Sequence, residues 1–228
     1  MDREPGRQAL VTGASSGIGA AIVTRLLREG WRVVGISRSD PARQDPQYRH
    51  LRLDLAGADE LPTTLDGLGV DAFVHAAGVM RAAPLGALDP EASRTLWRLH
   101  VEAAERLANL VAPRMAEGGR IVLIGSRGSM GLAGRSQYGA TKAALVAMAR
   151  AWAQELAPRG ITVNVVAPAA TETPMLRDPA RAASPPKLPP IGRLIRPEEV
   201  AALTAFLLGP EAGAITGQQI MVCGGASL

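Results

Sequence analysis

The feature that most constrains the fold of this chain is an alternation. Seven short apolar runs recur along it: QALVTG (8–13), WRVVGIS (31–37), YRHLRLDL (48–55), VDAFVHAAG (70–78), GRIVLIGS (119–126), ITVNVVAP (161–168) and QQIMVCGG (218–225). Rich in β-branched residues and nearly continuous in apolar character, they predict strands covered on both faces and hence a mainly parallel sheet. Parallel neighbours need crossover connections, and helical periodicity fills the intervals. Ile18, Ile22 and Leu26 fall at i, i+4 and i+8, and Leu145, Met148, Trp152 and Leu156 form a second stripe. A third helix is expected over roughly 90–117. A fourth opens at RPEEVAALTAFLL, where Pro197 suits a first turn and Glu198 and Glu199 suit its positive end.

Strand and helix in strict alternation predict an α/β fold, a Rossmann-type, doubly wound, mainly parallel seven-stranded sheet in a three-layer α/β/α sandwich. One domain over 1–228 is expected. The exception to the pattern is PMLRDPARAASPPKLPP (174–190), whose prolines break both periods. A loop this long in a compact domain is expected to act as a lid over a substrate.

Composition excludes several classes of function. Hydrophobic residues make up 47% and charged residues 20%, a globular balance, and no apolar run reaches the ~18 residues of a membrane span. The chain passes from MDREPGRQ directly into a strand with no leader pattern, so a cytoplasmic protein is expected. The net charge is +4, but arginines are scattered and aromatics are 3%, which leaves no base-stacking platform for nucleic acid. Cys223 is the single cysteine, and His50, His75 and His100 lack metal-ligand spacing, so neither a disulfide nor a metal site is expected.

Two motifs carry chemistry. The first strand ends in TGASSGIG (12–19), with Gly13, Gly17 and Gly19 allowing a tight turn and close backbone approach before a helix N-terminus. Such a turn presents N–H groups and a positive dipole end to a pyrophosphate. Downstream, SQYGATKAA (136–144) places Tyr138 and Lys142 four residues apart, on one helix face. A phenol with a pKa near 10 exchanges protons poorly at neutral pH, and an adjacent ammonium favours its ionised form. The pair is therefore expected to be a tuned acid/base.

Together, TGxxxGxG and YxxxK resemble the short-chain dehydrogenase/reductase family, in its shorter single-domain form, over nearly the whole chain. The resemblance implies an NAD(P)-dependent oxidoreductase that interconverts a carbonyl and a secondary alcohol. Tyr138 would serve as acid/base and Ser126, or the nearby Ser129, would hold the reacting oxygen. Lys142 would also bind the nicotinamide ribose. It further implies that Ser15, Ser16 and Ile18 join the three glycines around the cofactor, that Asp54 and Leu55 meet the adenine, and that Pro168, Thr171 and Thr173 meet the nicotinamide and phosphate region. Ala76, Ala77 and Gly78, in HAAG, stand where the family usually carries NNAG. His100, in RLHVE, stands where it often carries an asparagine that supports a proton path, and either that role or simple packing suits it.

The second strand ends with Ser37 where a carboxylate would select NAD(H), and Arg38 follows. A guanidinium there suits a 2′-phosphate, so NADP(H) is favoured and NAD(H) is possible; stacking on adenine and facing solvent are the other uses of Arg38. A small carbonyl or alcohol substrate and a homo-oligomer, dimer or tetramer, paired through 90–117 and 136–157, complete the expectation. A dinucleotide-using epimerase or dehydratase and a non-catalytic dinucleotide sensor are the alternatives.

Overall fold

The structure is a computed structural model, and it describes residues 6–57, 63–181 and 184–228. Seven parallel strands form one sheet: β1 (Gln8–Thr12), β2 (Arg32–Ser37), β3 (Tyr48–Arg52), β4 (Ala72–His75), β5 (Arg120–Ile124), β6 (Thr162–Pro168) and β7 (Gln219–Val222), in the order β3-β2-β1-β4-β5-β6-β7. Strand order reverses between β1 and β4, which opens a crevice at the C-terminal edge. Register brings Thr12 level with Ile36 on one side and His75 on the other, so these strands end together at that edge.

Successive strand residues face opposite ways, so each strand feeds two cores. Val11 packs with Ile22, Leu26, Val200 and Leu207 beneath α1 (Gly17–Arg28) and α5 (Pro197–Leu208). Its neighbour Leu10 joins Phe73, Leu107, Ile121 and Leu145 on the other face. That face is covered by α2 (Pro90–Trp97), α3 (Ala103–Val111) and α4 (Ser136–Leu156).

Two departures from the sequence pattern have local causes. The run expected as a strand over 48–55 pairs only through Arg52, and its side chains are half-buried or exposed, because β3 lies at the sheet edge with one neighbour. The helix expected over 90–117 runs as four consecutive segments. A π-helical segment, Arg98–Glu102, joins α2 to α3, and a 3-10 turn, Ala112–Arg114, closes it at Pro113. Such π segments widen the helix and re-aim a side chain; here the buried side chain is His100. No helix among the described residues is long and apolar enough to cross a membrane.

Candidate active site

A cavity of about 1020 Å³ opens over the C-terminal edge of the sheet, at the reversal of strand order. Its floor is the turn from β1 to α1. A Cβ on Gly13 would lie 2.9 Å from the backbone of Ala76 and Ala77, and one on Gly19 would lie 2.1 Å from the Gly13 carbonyl oxygen. Only glycine permits this packing of turn, helix and neighbouring loop. Ser15, Ser16, Gly17 and Ile18 line the cavity beside them. Ser16 is the N-cap of α1, but its side chain makes no capping hydrogen bond, so the first helical amides are not closed off by it. This combination fits a pyrophosphate.

Thr12 and His75 brace the floor from below. The Thr12 hydroxyl accepts from the amides of Ala76 and Ala77, each at 3.0 Å, which leaves its proton for Nδ1 of His75 at 3.0 Å. His75 Nε2 must then carry the hydrogen that reaches the Leu99 carbonyl at 3.1 Å. Burial, with the Lys142 charge adding to it, lowers the His75 pKa to about 3, so the imidazole is neutral. His75 is the first residue of the HAAG turn. The sequence signal for it was a lone histidine at the end of a buried strand.

At the end of β2, Arg38 lines the cavity, as do Asp54 and Leu55 beyond β3. Asp54 accepts from the Ala56 amide at 3.1 Å. Ser37 lines the same wall, but its hydroxyl donates to the Ser39 carbonyl at 2.9 Å and meets His50 Nε2 at 2.9 Å. With those partners the hydroxyl is held within the protein, and Arg38 is the more available group at that position.

The pair expected to act as acid/base also lines the cavity. Tyr138 and Lys142 share a face of α4, both buried, and Gly139 lets that helix approach the 3-10 turn at Arg127–Met130, where an added Cβ would meet the Gly128 carbonyl at 2.9 Å. The approach brings the Tyr138 ring and the Ser126 hydroxyl to the same side of Gly128, and that hydroxyl accepts from the Gly128 amide at 3.0 Å. Ser129, the other serine in reach by sequence, accepts instead from the Gln219 side chain at 2.7 Å.

One expectation about this pair is corrected. Burial raises the Tyr138 phenol above its ordinary 10, and the groups that pull it back are Ser126, then Arg135 and Arg181. The Lys142 ammonium lies 5.9 Å from the ring centroid and donates to the Ile124 carbonyl at 2.9 Å. Burial lowers Lys142 from 10.5 to about 7. Direct lowering of the phenol by Lys142 fails because the side chain turns toward the end of β5.

His100 is tied on both sides. Its Nε2 accepts from the Val79 amide at 3.1 Å, so Nδ1 carries the hydrogen and donates to the Thr141 hydroxyl at 2.8 Å. The Thr141 hydroxyl in turn donates a hydrogen bond to the Tyr138 carbonyl at 2.9 Å. Burial, then the Lys142 charge, holds the imidazole well below its ordinary 6.5. His100 thus links the loop after β4, the π segment and α4, edge-on to the Tyr138 ring at 5.6 Å.

Beyond β6, Pro168, Thr171 and Thr173 line the cavity. Thr171 donates to the Ala169 carbonyl at 3.0 Å and Thr173 to the Thr171 carbonyl at 3.3 Å. The described part of 174–190 borders the opening through Met175, Leu176, Arg181 and Ser184 among others. It is anchored by Arg81 to Asp178 at 3.3 Å and by Arg135 to Ser184 at 2.7 Å. Asp54 is the one acid among the described lining residues, whereas Arg127, Arg135, Arg181 and Lys187 gather at the lid end. Sequence reasoning missed Arg135 at this site, although its position three residues before Tyr138 is the signal that finds it. No cluster of potential metal ligands occurs among the described residues.

Comparison with known proteins gives one pattern. A family model described as enoyl-(acyl carrier protein) reductase matches residues 13–227. The 3-oxoacyl-(acyl-carrier-protein) reductase FabG of Vibrio cholerae is 36% identical, with 96% of this chain and 97% of that protein covered. Among solved structures, BdcA in complex with NADPH superposes with a TM-score of 0.84 at 34% identity, covering 96% of this chain and 94% of that one. The aldohexose dehydrogenase AldT of Thermoplasma acidophilum does so at 0.88 and 28%, covering 97% and 94%. Similarity to these proteins over nearly full length, on a fold that lines one cavity with a glycine-rich turn, Tyr138 and Lys142, establishes that the chain belongs to the short-chain dehydrogenase/reductase family of NAD(P)-dependent oxidoreductases.

Proposed function

We propose that this chain is an NADPH-preferring reductase that converts a carbonyl to a secondary alcohol, with Tyr138 as the proton donor. The observation that supports the reading is that Ser126, Tyr138 and Lys142 line one cavity together, with Tyr138 and Lys142 buried on one face of α4. A carbonyl oxygen entering there accepts from both hydroxyls. Ser126 fixes its position, and the phenol gives it a proton as negative charge develops. Reduction of a ketone rather than of an enoyl double bond is favoured by the FabG relative, which is named for 3-oxoacyl reduction.

The dinucleotide, when bound, supplies the hydride. Gly13, Ser15, Ser16, Gly17, Ile18 and Gly19 would hold its pyrophosphate, Asp54 and Leu55 its adenine, and Ala76, Ala77 and Gly78 the turn beside it. Pro168, Thr171 and Thr173 would border the nicotinamide end, with Lys142 on the ribose hydroxyls. Arg38 at the end of β2, with no carboxylate beside it at 37, favours a 2′-phosphate and thus NADP(H) over NAD(H). BdcA, solved with NADPH, supports the same preference. His100 is assigned a positioning role, because both ring nitrogens are engaged.

Residues 174–190 are read as the substrate lid of a single catalytic domain spanning the chain. A cytoplasmic homo-oligomer, dimer or tetramer, belongs to the same proposal, with Trp97, 43% exposed, on one candidate pairing helix. Light scattering tests the assembly, and a monomer at micromolar concentration removes it. The function is tested by titrating NADPH and NADH into the protein and then following NADPH consumption with a panel of oxo compounds. Tighter NADPH binding with one NADPH consumed per alcohol formed is expected. Turnover without net consumption of NADPH would favour an epimerase or dehydratase, and binding without any turnover would favour a sensor.

A further inference from the structure

Two guanidinium groups beside the phenol have no part in the proton transfer just described. Arg181 is 6% exposed, and its Nε has no hydrogen-bond partner among the described residues. Asp178, three residues earlier, projects its field onto Arg181 but bridges to Arg81 at 3.3 Å. Neither Arg181 nor Arg135 makes an ion pair among the described residues. A buried charge with an open donor is unfavourable unless a partner completes it.

Arg135 comes from the residue preceding α4, opposite the lid. Its Nε donates to the Ser184 hydroxyl at 2.7 Å and its Nη2 to the Ser184 carbonyl at 3.2 Å, which fixes the plane of the group. Both arginines line the cavity, and both act electrostatically on the Tyr138 phenol. Arg135 lies three residues before Tyr138 and the buried Arg181 lines the same cavity, whereas Lys187 is exposed.

Resting on the reading of Tyr138 as proton donor, we propose that Arg181 and Arg135 form an anion subsite beside it, and that the substrate is an oxo acid with a free carboxylate near the reacting carbonyl. A carboxylate is compact and planar and matches the guanidinium fork. In a carrier-bound thioester that position is neutral, and its phosphate lies many bonds away, toward the mouth.

The test compares 3-oxobutanoate with its methyl ester and its N-acetylcysteamine thioester, both neutral, at saturating NADPH. In the native enzyme kcat/KM for the acid should exceed that for either neutral form by about tenfold or more, as expected for a charge-assisted hydrogen bond. In Arg181→Met this preference should fall to near unity, and Arg181→Lys should keep part of it. A native preference near or below unity overturns the proposal, as does a preference unchanged in Arg181→Met. Calorimetry separates failure of the subsite from failure of the proton-transfer reading. It measures 3-hydroxybutanoate and its methyl ester binding to NADP⁺-loaded Tyr138→Phe, where no turnover is needed. Acid-selective binding that disappears when Arg181→Met is added supports the subsite even if the role of Tyr138 fails. Equal binding of acid and ester overturns the subsite even if that role stands.

Discussion

At Lys142 the fold holds an ammonium where water scarcely reaches it. The side chain is 4% exposed, and burial brings its pKa from 10.5 down to about 7. Between those values the unfolded chain binds more protons than the folded one, so this residue's contribution to stability rises with pH across the window. Its slope approaches about 1.36 kcal/mol per pH unit. Lys142→Met should remove that slope and leave the protein more stable than wild type at pH 7, with the two converging toward pH 10. Thermal melts of both proteins across that range check it, and parallel curves would contradict the burial account. Arg38 is a simpler case, because it lines the cavity at the end of β2 next to a serine whose hydroxyl is already engaged. Arg38→Ala should weaken NADPH binding by about tenfold to a hundredfold, the value of a charge-assisted hydrogen bond, and NADH binding by much less. Fluorescence titration of both cofactors measures this, and equal losses would remove the 2′-phosphate contact.

Helices α1 and α4 each approach the cavity through a glycine contact. Helix α1 reaches its turn because Gly19 lies against the Gly13 carbonyl, where an added Cβ would come to 2.1 Å. Gly19→Ala must push the helix from the turn, and overpacking of this kind typically destabilises by about 1–3 kcal/mol. Denaturant unfolding should show that loss together with weakened binding of both dinucleotides, and an unchanged midpoint would mean that the turn yields freely. These contacts were legible in the sequence as glycine spacing. The broken helix was not, since residues 90–117 keep an apolar stripe throughout and nothing in their periodicity marks the π segment at Arg98–Glu102. The short β3 was hidden in the same way. Its leucines continue the strand pattern to Leu55, but an edge strand pairs only as far as β2 extends beside it.

For the whole molecule, strand and helix alternation was enough to read the sheet and the edge on which the cavity lies, because parallel strands with crossovers admit few arrangements. Tyr138, Lys142 and Ser126 were legible because their spacing is local and their chemistry narrow. Arg181 was legible, with Arg177 and Lys187, as a charge on a proline-rich segment that an acidic substrate could use or that could simply face solvent. Its burial depends on how that segment closes against Arg135 and Asp178, a long-range matter that periodicity does not encode. The direction of the Tyr138 shift was misread for the same reason, since it follows from burial, which those arginines only partly offset, and the lysine one turn away does not reverse it. The most direct test of the central claim is NADPH consumption by wild type and Tyr138→Phe on the best oxo substrate, with NADPH affinity measured on both proteins. A fall in kcat of about a hundredfold to ten-thousandfold, the usual worth of a general acid, with affinity unchanged is the predicted result. Turnover retained in Tyr138→Phe would contradict the assignment of Tyr138 as the proton donor.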